Sequence, residues 1–243
     1  MLDGLVVLVT NVTHFVGLPA ALEMARQGAR VLCHDRTFGD AVAAAAFKRE
    51  HPGLDVLTDI SPEAAVAAVE QVAGPIDVLV NNDFFPAIRA PIDDAKLDDL
   101  RAGLEDLVVT PFRFAAAAAQ RMKPRRQGKI LFVTSAAPFH GLPNYAMYVT
   151  GRGAANALAV SLAKELAAFD IQVNAIAPNY VESPSYFPPS LIADPAAMKK
   201  FADKVPLKRL GKPEEVAATI AFFASRGSNF ITGHVLPIAG GWA

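Results

Sequence analysis

Three residues in the second half of the chain have types and spacing that suit acid–base chemistry: Ser135, Tyr148 and Arg152. Tyr148 and Arg152 are four residues apart, so on a helix they share one face and the guanidinium can approach the phenol. A free phenol has a pKa of roughly 10 and is almost fully protonated at neutral pH. Because a permanently charged guanidinium favours the phenolate, the spacing predicts a tyrosine base served by an arginine. Ser135 can donate a hydrogen bond to a substrate oxygen.

A second tyrosine, Tyr145, competes for the role of base. It has Val149 four residues later and therefore no cationic partner on the same helical face. The alternative for Tyr148 is a buried structural tyrosine whose hydroxyl meets a backbone carbonyl. The presence of Ser135 and Arg152 favours the catalytic interpretation.

The elements that position these residues follow from the apolar pattern. Continuous runs rich in Val, Ile and Leu are typical of parallel strands covered on both faces, and helical patterns fill the gaps between them. The pattern predicts one α/β domain over residues 1–243, with a Rossmann-like doubly wound sheet of about seven parallel strands. Strands are predicted at 5–10, 30–35, 54–58, 76–81, 129–135, 171–178 and 234–240, helices at about 97–122, 148–169 and 213–225, and helix starts at Pro19 and Ser61.

Composition excludes several classes of function. The formal net charge is −1, which gives no field to attract nucleic acid or an anionic membrane. The N-terminus has neither a basic segment nor an apolar run long enough for a signal peptide or a membrane span, so we expect a soluble, cytoplasmic protein. The five histidines are scattered without metal-ligand spacing, and no metal site is expected. Cys33 lies in an apolar run and is interpreted as a small buried residue.

The first strand-to-helix turn reads Thr10-Asn-Val-Thr-His-Phe-Val-Gly17. With the rest of the chain, it resembles the short-chain dehydrogenase/reductase superfamily, whose turn is T-G-x-x-x-G-x-G. Asn11 and Phe15 replace the first two glycines, and Gly17 keeps the packing position. Asparagine can still adopt a left-handed backbone. The Phe15 side chain, however, would occupy space that a dinucleotide needs.

Two further segments depart from the cofactor-binding pattern. The family's Asn-Asn-Ala-Gly is here Asn81-Asn-Asp-Phe84, and no asparagine lies between Arg101 and Gln120 to supply the family's catalytic one. Asp35, at the end of the second predicted strand, stands where a dinucleotide-binding enzyme has an acid for the ribose. The sequence therefore predicts that no cofactor is used. An NAD(P)-dependent oxidoreductase with degenerate motifs and a non-catalytic binding protein on the same scaffold remain the alternatives.

Arginine in place of the superfamily's lysine resembles the halohydrin dehalogenases, a cofactor-independent branch. THF in the turn, NNDF, VTSAAPF and PNY are also similar to that family. The resemblance implies conversion of vicinal haloalcohols to epoxides with release of halide and a proton, and reverse opening of epoxides by azide, cyanide or nitrite. Ser135 would bind the substrate hydroxyl and Tyr148 would remove its proton. Arg152 would favour the phenolate and help to pass the proton to solvent.

In the dehydrogenases of the superfamily, the loop after the sixth strand carries a glycine that leaves room for the nicotinamide. The resemblance implies that a halide site takes this place here. Backbone amides and ring edges in an apolar pocket suit a large anion. Tyr186 and Phe187 are interpreted either as an aromatic lid or as incidental residues of a proline-stiffened surface loop. The expected halide-binding residues are Phe15, Pro178, Asn179, Tyr180 and Val181.

Further pocket residues are expected from their positions. Asp83 follows a strand and could pair with Arg152 or start a water chain for the proton, or it could cap the following loop. Phe85, Pro138 and Phe139 are expected to line the substrate pocket, although core packing would explain them equally.

Small side chains on two helices, Ala115–Ala119 and the segment after Gly153, allow close helix–helix approach. The resemblance implies a homotetramer assembled through these helices; otherwise the alanines pack on the sheet. The chain ends at Ala243 without the C-terminal extension that could close the pocket, so a more open site tolerant of bulkier substrates is expected.

Overall fold

The computed structural model describes residues 1–184, 186, 187 and 189–243. These residues form one sheet of seven parallel strands, in agreement with the predicted doubly wound α/β fold. The strands are β1 (Val6–Val9), β2 (Arg30–Cys33), β3 (Asp55–Val56), β4 (Val78–Asn81), β5 (Gly128–Val133), β6 (Ile171–Pro178) and β7 (Val235–Ile238). Their order is β3-β2-β1-β4-β5-β6-β7. The winding direction thus changes between β1 and β4, and such a change opens a crevice at the carboxyl ends of the strands.

Helices connect the strands and cover both faces of the sheet. Along β1, Val7 and Val9 point to one layer of helices, whereas Val6 and Leu8 point to the other, as the two-residue period of a strand requires. A strand covered on both faces, such as β1, therefore reads as a continuous apolar run. The helices are α1 (Gly17–Arg26), α2 (Ala41–Glu50), α3 (Pro62–Ala73), α4 (Leu97–Leu104), α5 (Thr110–Arg125), α6 (Ala146–Leu166), α7 (Pro189–Ile192), α8 (Pro195–Ala202) and α9 (Pro213–Ala224).

Some element boundaries differ from the predicted ones. The helix predicted over 97–122 is two helices, α4 and α5, joined by a π-helical turn at Glu105–Val109. Helix α1 begins at Gly17 rather than Pro19, and β3 is only two residues long. Ser61 caps α3 as predicted, since its hydroxyl accepts a hydrogen bond from the amide of Ala64 at 3.4 Å.

The fold also bears on Cys33 and on membrane-spanning helices. Cys33 is completely buried in β2, and burial raises the pKa of its thiol to about 12, so it is an inert packing residue. Within the described part of the chain, every helix is too short or too polar to cross a membrane.

Candidate active site

A cavity of about 330 Å³ lies beyond the carboxyl ends of β5 and β6. Ser135, Tyr148 and Arg152 all line it, so the structure brings together the three residues selected from the sequence. Ser135 reaches the cavity from the segment after β5, whereas Tyr148 and Arg152 lie in the first two turns of α6. This part of the protein therefore combines a hydroxyl donor, a phenol and a guanidinium around one space.

Ser135 is oriented by its own backbone neighbourhood. The side chain is almost fully buried, and its Oγ accepts a hydrogen bond from the amide of Ala137 at 3.1 Å. Its carbonyl accepts a bond from Nδ2 of Asn156, on α6, at 3.3 Å. Because Oγ acts as an acceptor toward Ala137, its hydroxyl proton is left to donate to a molecule in the cavity.

Arg152 is buried, with 2% of its surface exposed, and three hydrogen-bond acceptors hold its guanidinium in place. Nη1 donates to the carbonyl of Val133 at 3.0 Å, and Nη2 donates to the carbonyl of Asp83 at 3.0 Å and to the hydroxyl of Tyr186 at 3.1 Å. Burial opposes its charge, but the nearby Tyr148 and Tyr186 outweigh burial and raise the pKa of Arg152. The guanidinium is a permanent, immobile cation at the floor of the site.

Tyr148 meets this cation through its ring. The guanidinium carbon of Arg152 lies 5.3 Å from the Tyr148 ring centroid, within the range of a cation–π contact. The ring of Tyr186 lies 6.4 Å away at an interplanar angle of 65°. Burial, together with the proximity of Tyr148, raises the pKa of Tyr186 despite Arg152, so Tyr186 stays a neutral phenol. Two tyrosines thus share one arginine.

Asp83 contacts Arg152 through its backbone carbonyl rather than through the predicted side-chain ion pair. Its carboxyl group is buried, and Oδ1 accepts no hydrogen bond from any described residue. Burial raises the pKa of Asp83 to about 8, with Arg152 opposing the rise. A carboxyl group with a pKa raised this far, beside the guanidinium of Arg152, can accept and release a proton near neutral pH.

The loop after β6 forms one wall of the cavity with Pro178, Asn179, Tyr180 and Val181. The amide of Asn179 donates to Ile238 at 3.0 Å, and the amide of Tyr180 donates to Oδ1 of Asn179 at 2.9 Å. These two backbone amides are therefore engaged, contrary to the expectation that they bind an anion. Among the side chains of this loop, the buried Nδ2 of Asn179 is a donor without a partner in the described residues.

Phe15, Tyr186 and Phe187 close the same end of the cavity. The rings of Phe15 and Tyr186 meet edge to face with centroids 5.4 Å apart. Phe187 packs in the same manner against Phe201 at 5.2 Å. Tyr186 and Phe187 therefore belong to the cavity wall. The neighbouring Ser185 and Pro188 lie outside the described residues.

Three residues expected in the pocket do not line the cavity. Phe85 packs toward Gly103, and Pro138 faces Gly153 on α6. Phe139 is 51% exposed on the surface. Each follows a strand end closely in sequence, but the local turn directs its side chain away from the cavity. For these three residues the prediction of a pocket position was wrong.

Other residues line the cavity without having been predicted. They come from segments whose place could be known only from tertiary packing: the loop before α4, the loop before α6 and the region around α8. Tyr145 carries a signal in the sequence, since it lies one turn before Tyr148 and shares its side of the helix. The additional lining residues are Ala87, Thr134, Ala137, Leu142, Tyr145, Phe201 and Lys204.

The turn at β1 and β4 departs in structure from a glycine-rich dinucleotide-binding turn. Asn11 adopts a left-handed backbone as predicted, and Phe15 adopts the same conformation, both at φ +46°. Nδ2 of Asn82 donates to the carbonyls of Asn11 and His14 at 2.9 Å each, which ties the turn to the end of β4. The phosphate-binding turn is thus occupied by side chains and by internal hydrogen bonds.

The ribose end of the crevice is also occupied. Asp35 is buried, and its carboxylate accepts hydrogen bonds from the amides and hydroxyls of Thr13 and Thr37. With four donors already bound, it cannot also accept the two hydroxyls of a ribose. Of the former motif, only Gly17 keeps its role, because a Cβ there would lie 2.7 Å from the Val12 carbonyl oxygen.

Comparison with known proteins assigns the class. Residues 13–243 match the family model described as enoyl-(acyl carrier protein) reductase, and the chain belongs to this family, within the short-chain dehydrogenase/reductase superfamily of enzymes. Gluconate 5-dehydrogenase of Gluconobacter oxydans (strain 621H) is 31% identical over 99% of this chain and 95% of its own. Cis-4-hydroxycyclohexanecarboxylate dehydrogenase of Sinomonas cyclohexanicum is 33% identical over 98% and 96%.

The solved structures similar to this chain include both dehalogenases and dehydrogenases. A structure described as a dehalogenation enzyme is 48% identical over 100% of this chain and 99% of its own, with a TM-score of 0.96. A halohydrin dehalogenase (HheC) bound to ethyl (2S)-oxiran-2-ylacetate is 37% identical over 97% and 96%, with a TM-score of 0.94. An NAD⁺-bound xylitol dehydrogenase is 29% identical over 98% and 99%, with a TM-score of 0.85. The dehydrogenases share the scaffold at lower identity.

Proposed function

We propose that the protein is a cofactor-independent halohydrin dehalogenase, which converts vicinal haloalcohols to epoxides. The observation that carries the proposal is the contrast within one crevice: Ser135, Tyr148 and Arg152 surround an open cavity, while Phe15 and Asp35 fill the adjoining dinucleotide site. The similarity to a halohydrin dehalogenase solved with an epoxide-containing ligand supports the same conclusion.

In the proposed reaction the hydroxyl of the haloalcohol lies between Ser135 and Tyr148. Ser135 donates a hydrogen bond to the substrate oxygen, and the phenolate of Tyr148, stabilised by Arg152, removes the proton. The resulting alkoxide attacks the neighbouring carbon from the side opposite the halogen. A carbon–oxygen bond forms as the carbon–halogen bond breaks, and halide leaves with the bonding electrons. Since both reacting groups belong to one molecule, proximity drives ring closure.

We propose that the halide binds at the end of the cavity formed by Phe15 and the loop after β6. The buried Nδ2 of Asn179 supplies an N–H donor without a protein partner, and an anion would satisfy it. The ring edges of Phe15 and Tyr186 add a weakly positive, water-poor surface. Azide, cyanide or nitrite would occupy the same position when the reaction runs backwards and opens an epoxide.

The proton that Tyr148 receives must reach solvent before the next turnover. The guanidinium of Arg152 connects the phenol to the backbone of Asp83, whose buried carboxyl group titrates near pH 8. We propose that Asp83 takes part in this transfer. The remaining cavity residues, including Tyr145, Leu142 and Lys204, shape the space for the substrate.

Halide and proton release from a simple vicinal bromo-alcohol, measured without added nucleotide, tests the proposed function. Release by the native protein and its absence in Tyr148→Phe would establish the reaction. Tyr145→Phe is the matched control, since Tyr145 lines the same cavity but has no arginine one turn later. Absence of release together with tight binding of NADH or NADPH would overturn the proposal in favour of a dehydrogenase, the activity named for the curated relatives.

We further propose that the protein assembles as a homotetramer. Val109, at the end of the π-helical turn, Phe112 on α5 and Val160 on α6 are exposed. A second apolar surface surrounds Phe222 on α9. A tetramer with two-fold axes needs at least two different interfaces, and these two apolar surfaces on different helices would supply them. Light scattering that gives the mass of a single chain would contradict this assembly.

A further inference from the structure

The turn between β1 and α1 holds a backbone conformation that its sequence does not favour. Phe15 has a φ of +46°, in the left-handed region that glycine adopts freely and a phenylalanine does not. Such a conformation persists only when the surrounding structure fixes it. The ring of Phe15 lines the cavity and meets Tyr186, so whatever fixes this turn also fixes the shape of the proposed anion site.

One set of contacts that holds the turn comes from the carboxylate of Asp35, just after β2. Its Oδ2 accepts the amide of Thr13 at 3.0 Å and the hydroxyl of Thr13 at 2.6 Å. Its Oδ1 accepts the amide and the hydroxyl of Thr37 at 3.0 Å and 2.8 Å. Thr13 is two residues from Phe15, so Asp35 anchors the turn close to its strained residue.

The carboxylate of Asp35 is held by hydrogen bonds rather than by an ion pair. The neighbouring Arg36 directs its guanidinium to Asp106 at 2.6 Å, and no described basic side chain lies within ion-pair distance of Asp35. Burial opposes its charge, but the hydrogen bonds from Thr13 and Thr37 lower the pKa of Asp35. Its negative charge is thus stabilised by four hydrogen-bond donors that belong to two loops.

We infer that Asp35 is a positioning residue for the anion site: by holding Thr13, it fixes the left-handed turn that places Phe15 against the leaving halide or the attacking anion. The inference rests on the proposed function. An acid at the end of β2, where a dinucleotide enzyme would use it to bind ribose, would here act through the protein's own turn. Asp35 itself does not line the cavity.

The test is Asp35→Asn, which exchanges two of the four acceptor sites for donors. In azide-dependent epoxide opening, we expect the KM for azide to rise about tenfold while kcat changes less than about twofold, because anion binding weakens and the proton-transfer residues stay in place. Asp40→Asn is the matched control. Asp40 accepts the amide of Val42 at 2.9 Å as a helix cap, and it makes no contact with the turn.

A double-mutant cycle with Phe15→Ala separates positioning from general damage to the fold. If Asp35 acts through Phe15, then Asp35→Asn in the Phe15→Ala background raises the KM for azide little further. Additive effects would overturn the inference. Should Asp35→Asn fail to fold, Thr13→Val removes only the 2.6 Å hydroxyl bond and should give a smaller rise of the same kind.

Direct bromide binding distinguishes failure of this inference from failure of the proposed function. Trp242, the one tryptophan of the chain, packs 5.5 Å from Tyr180 in the cavity wall, so its fluorescence can report halide binding. Bromide affinity that falls in Asp35→Asn supports the positioning role even if the native protein releases no halide from a bromo-alcohol. Equal affinity in the two proteins, or no bromide binding by the native one, overturns it.

Discussion

Two buried aspartates, each following a strand of the sheet, have opposite environments. Asp35, after β2, accepts four hydrogen bonds, which lower its pKa. Asp83, after β4, has an Oδ1 without a described partner, and burial raises its pKa to about 8. The difference separates a carboxylate that is fixed to the fold from one that can exchange protons.

The same contrast extends to the two sides of the crevice. On the β1–β2 side, the turn is filled by Phe15 and connected by hydrogen bonds to Asn82 and Asp35. On the β5–β6 side, a cavity remains, and polar groups such as Nδ2 of Asn179 are left without protein partners. The β1–β2 side is thus the closed half of the crevice, filled by the protein's own side chains, and the β5–β6 side is the open half, which keeps the cavity.

The largest expected effect comes from removing the base in the open half. Tyr148→Phe should lower the rate of halide release by about 1,000-fold, since general base catalysis contributes factors of this size. The thermal unfolding midpoint should change little, because the ring remains. Substantial residual release would show that another group removes the proton and that the two halves do not differ as proposed.

Asn179→Asp tests the unpaired donor. The aspartate keeps an acceptor for the Tyr180 amide and replaces the buried N–H donor with a negative charge. Because a hydrogen bond to an ion is lost and repulsion is added, halide affinity should fall by about 10- to 100-fold. Bromide titration of Trp242 fluorescence measures it. Unchanged affinity would place the anion elsewhere in the cavity.

Arg152→Lys keeps a positive charge beside the cavity but replaces the long, planar guanidinium with a shorter side chain that ends in an ammonium group. An ammonium group cannot reproduce the planar contacts with the carbonyls of Val133 and Asp83. The cation would then no longer be held against the Tyr148 ring, and halide release at neutral pH should fall about tenfold. Unchanged halide release by Arg152→Lys would contradict this role.

Asp83→Asn separates function from stability. A carboxyl group with a pKa of about 8 in the folded protein and roughly 3.9 when unfolded destabilises the fold increasingly as the pH rises from 4 to 8, because the folded state binds more protons. The variant should therefore gain in thermal midpoint relative to the native protein as the pH rises, while its turnover falls several-fold. A midpoint difference that is the same at pH 5 and pH 8 would contradict the shifted pKa.

The smallest effect is expected in the closed half. Phe15→Gly opens space in the turn but leaves Asp35 engaged by Thr13 and Thr37, so NADH binding should stay undetectable by calorimetry. Measurable affinity would mean that the aromatic ring alone excludes the nucleotide.

The scaffold was largely predictable from the sequence because buried parallel strands leave continuous apolar runs, and the strands appear near the predicted positions. The π-helical turn at Glu105–Val109 was not, since one additional residue per turn leaves no distinct composition. The position of this π-helical turn depends on how the segment packs against its neighbours in the fold, which the sequence does not display.

The candidate site was predictable where spacing on one element fixes geometry, as for Tyr148 and Arg152 on α6. It was not predictable where loop direction decides, as for Phe85 and Phe139, or where a distant segment contributes, as for Lys204. The sharing of Arg152 between two tyrosines also depends on tertiary packing, because Tyr186 arrives from a loop 34 residues later.

The left-handed backbone at Phe15 also bears on which residues the turn can accept. A bend with φ +46° forms easily around glycine and with difficulty around phenylalanine, so the folded protein carries a conformational cost at this position. Glycine at position 15 would lower that cost and would remove the ring that meets Tyr186. Stability and the shape of the cavity wall therefore make opposite demands on this one residue.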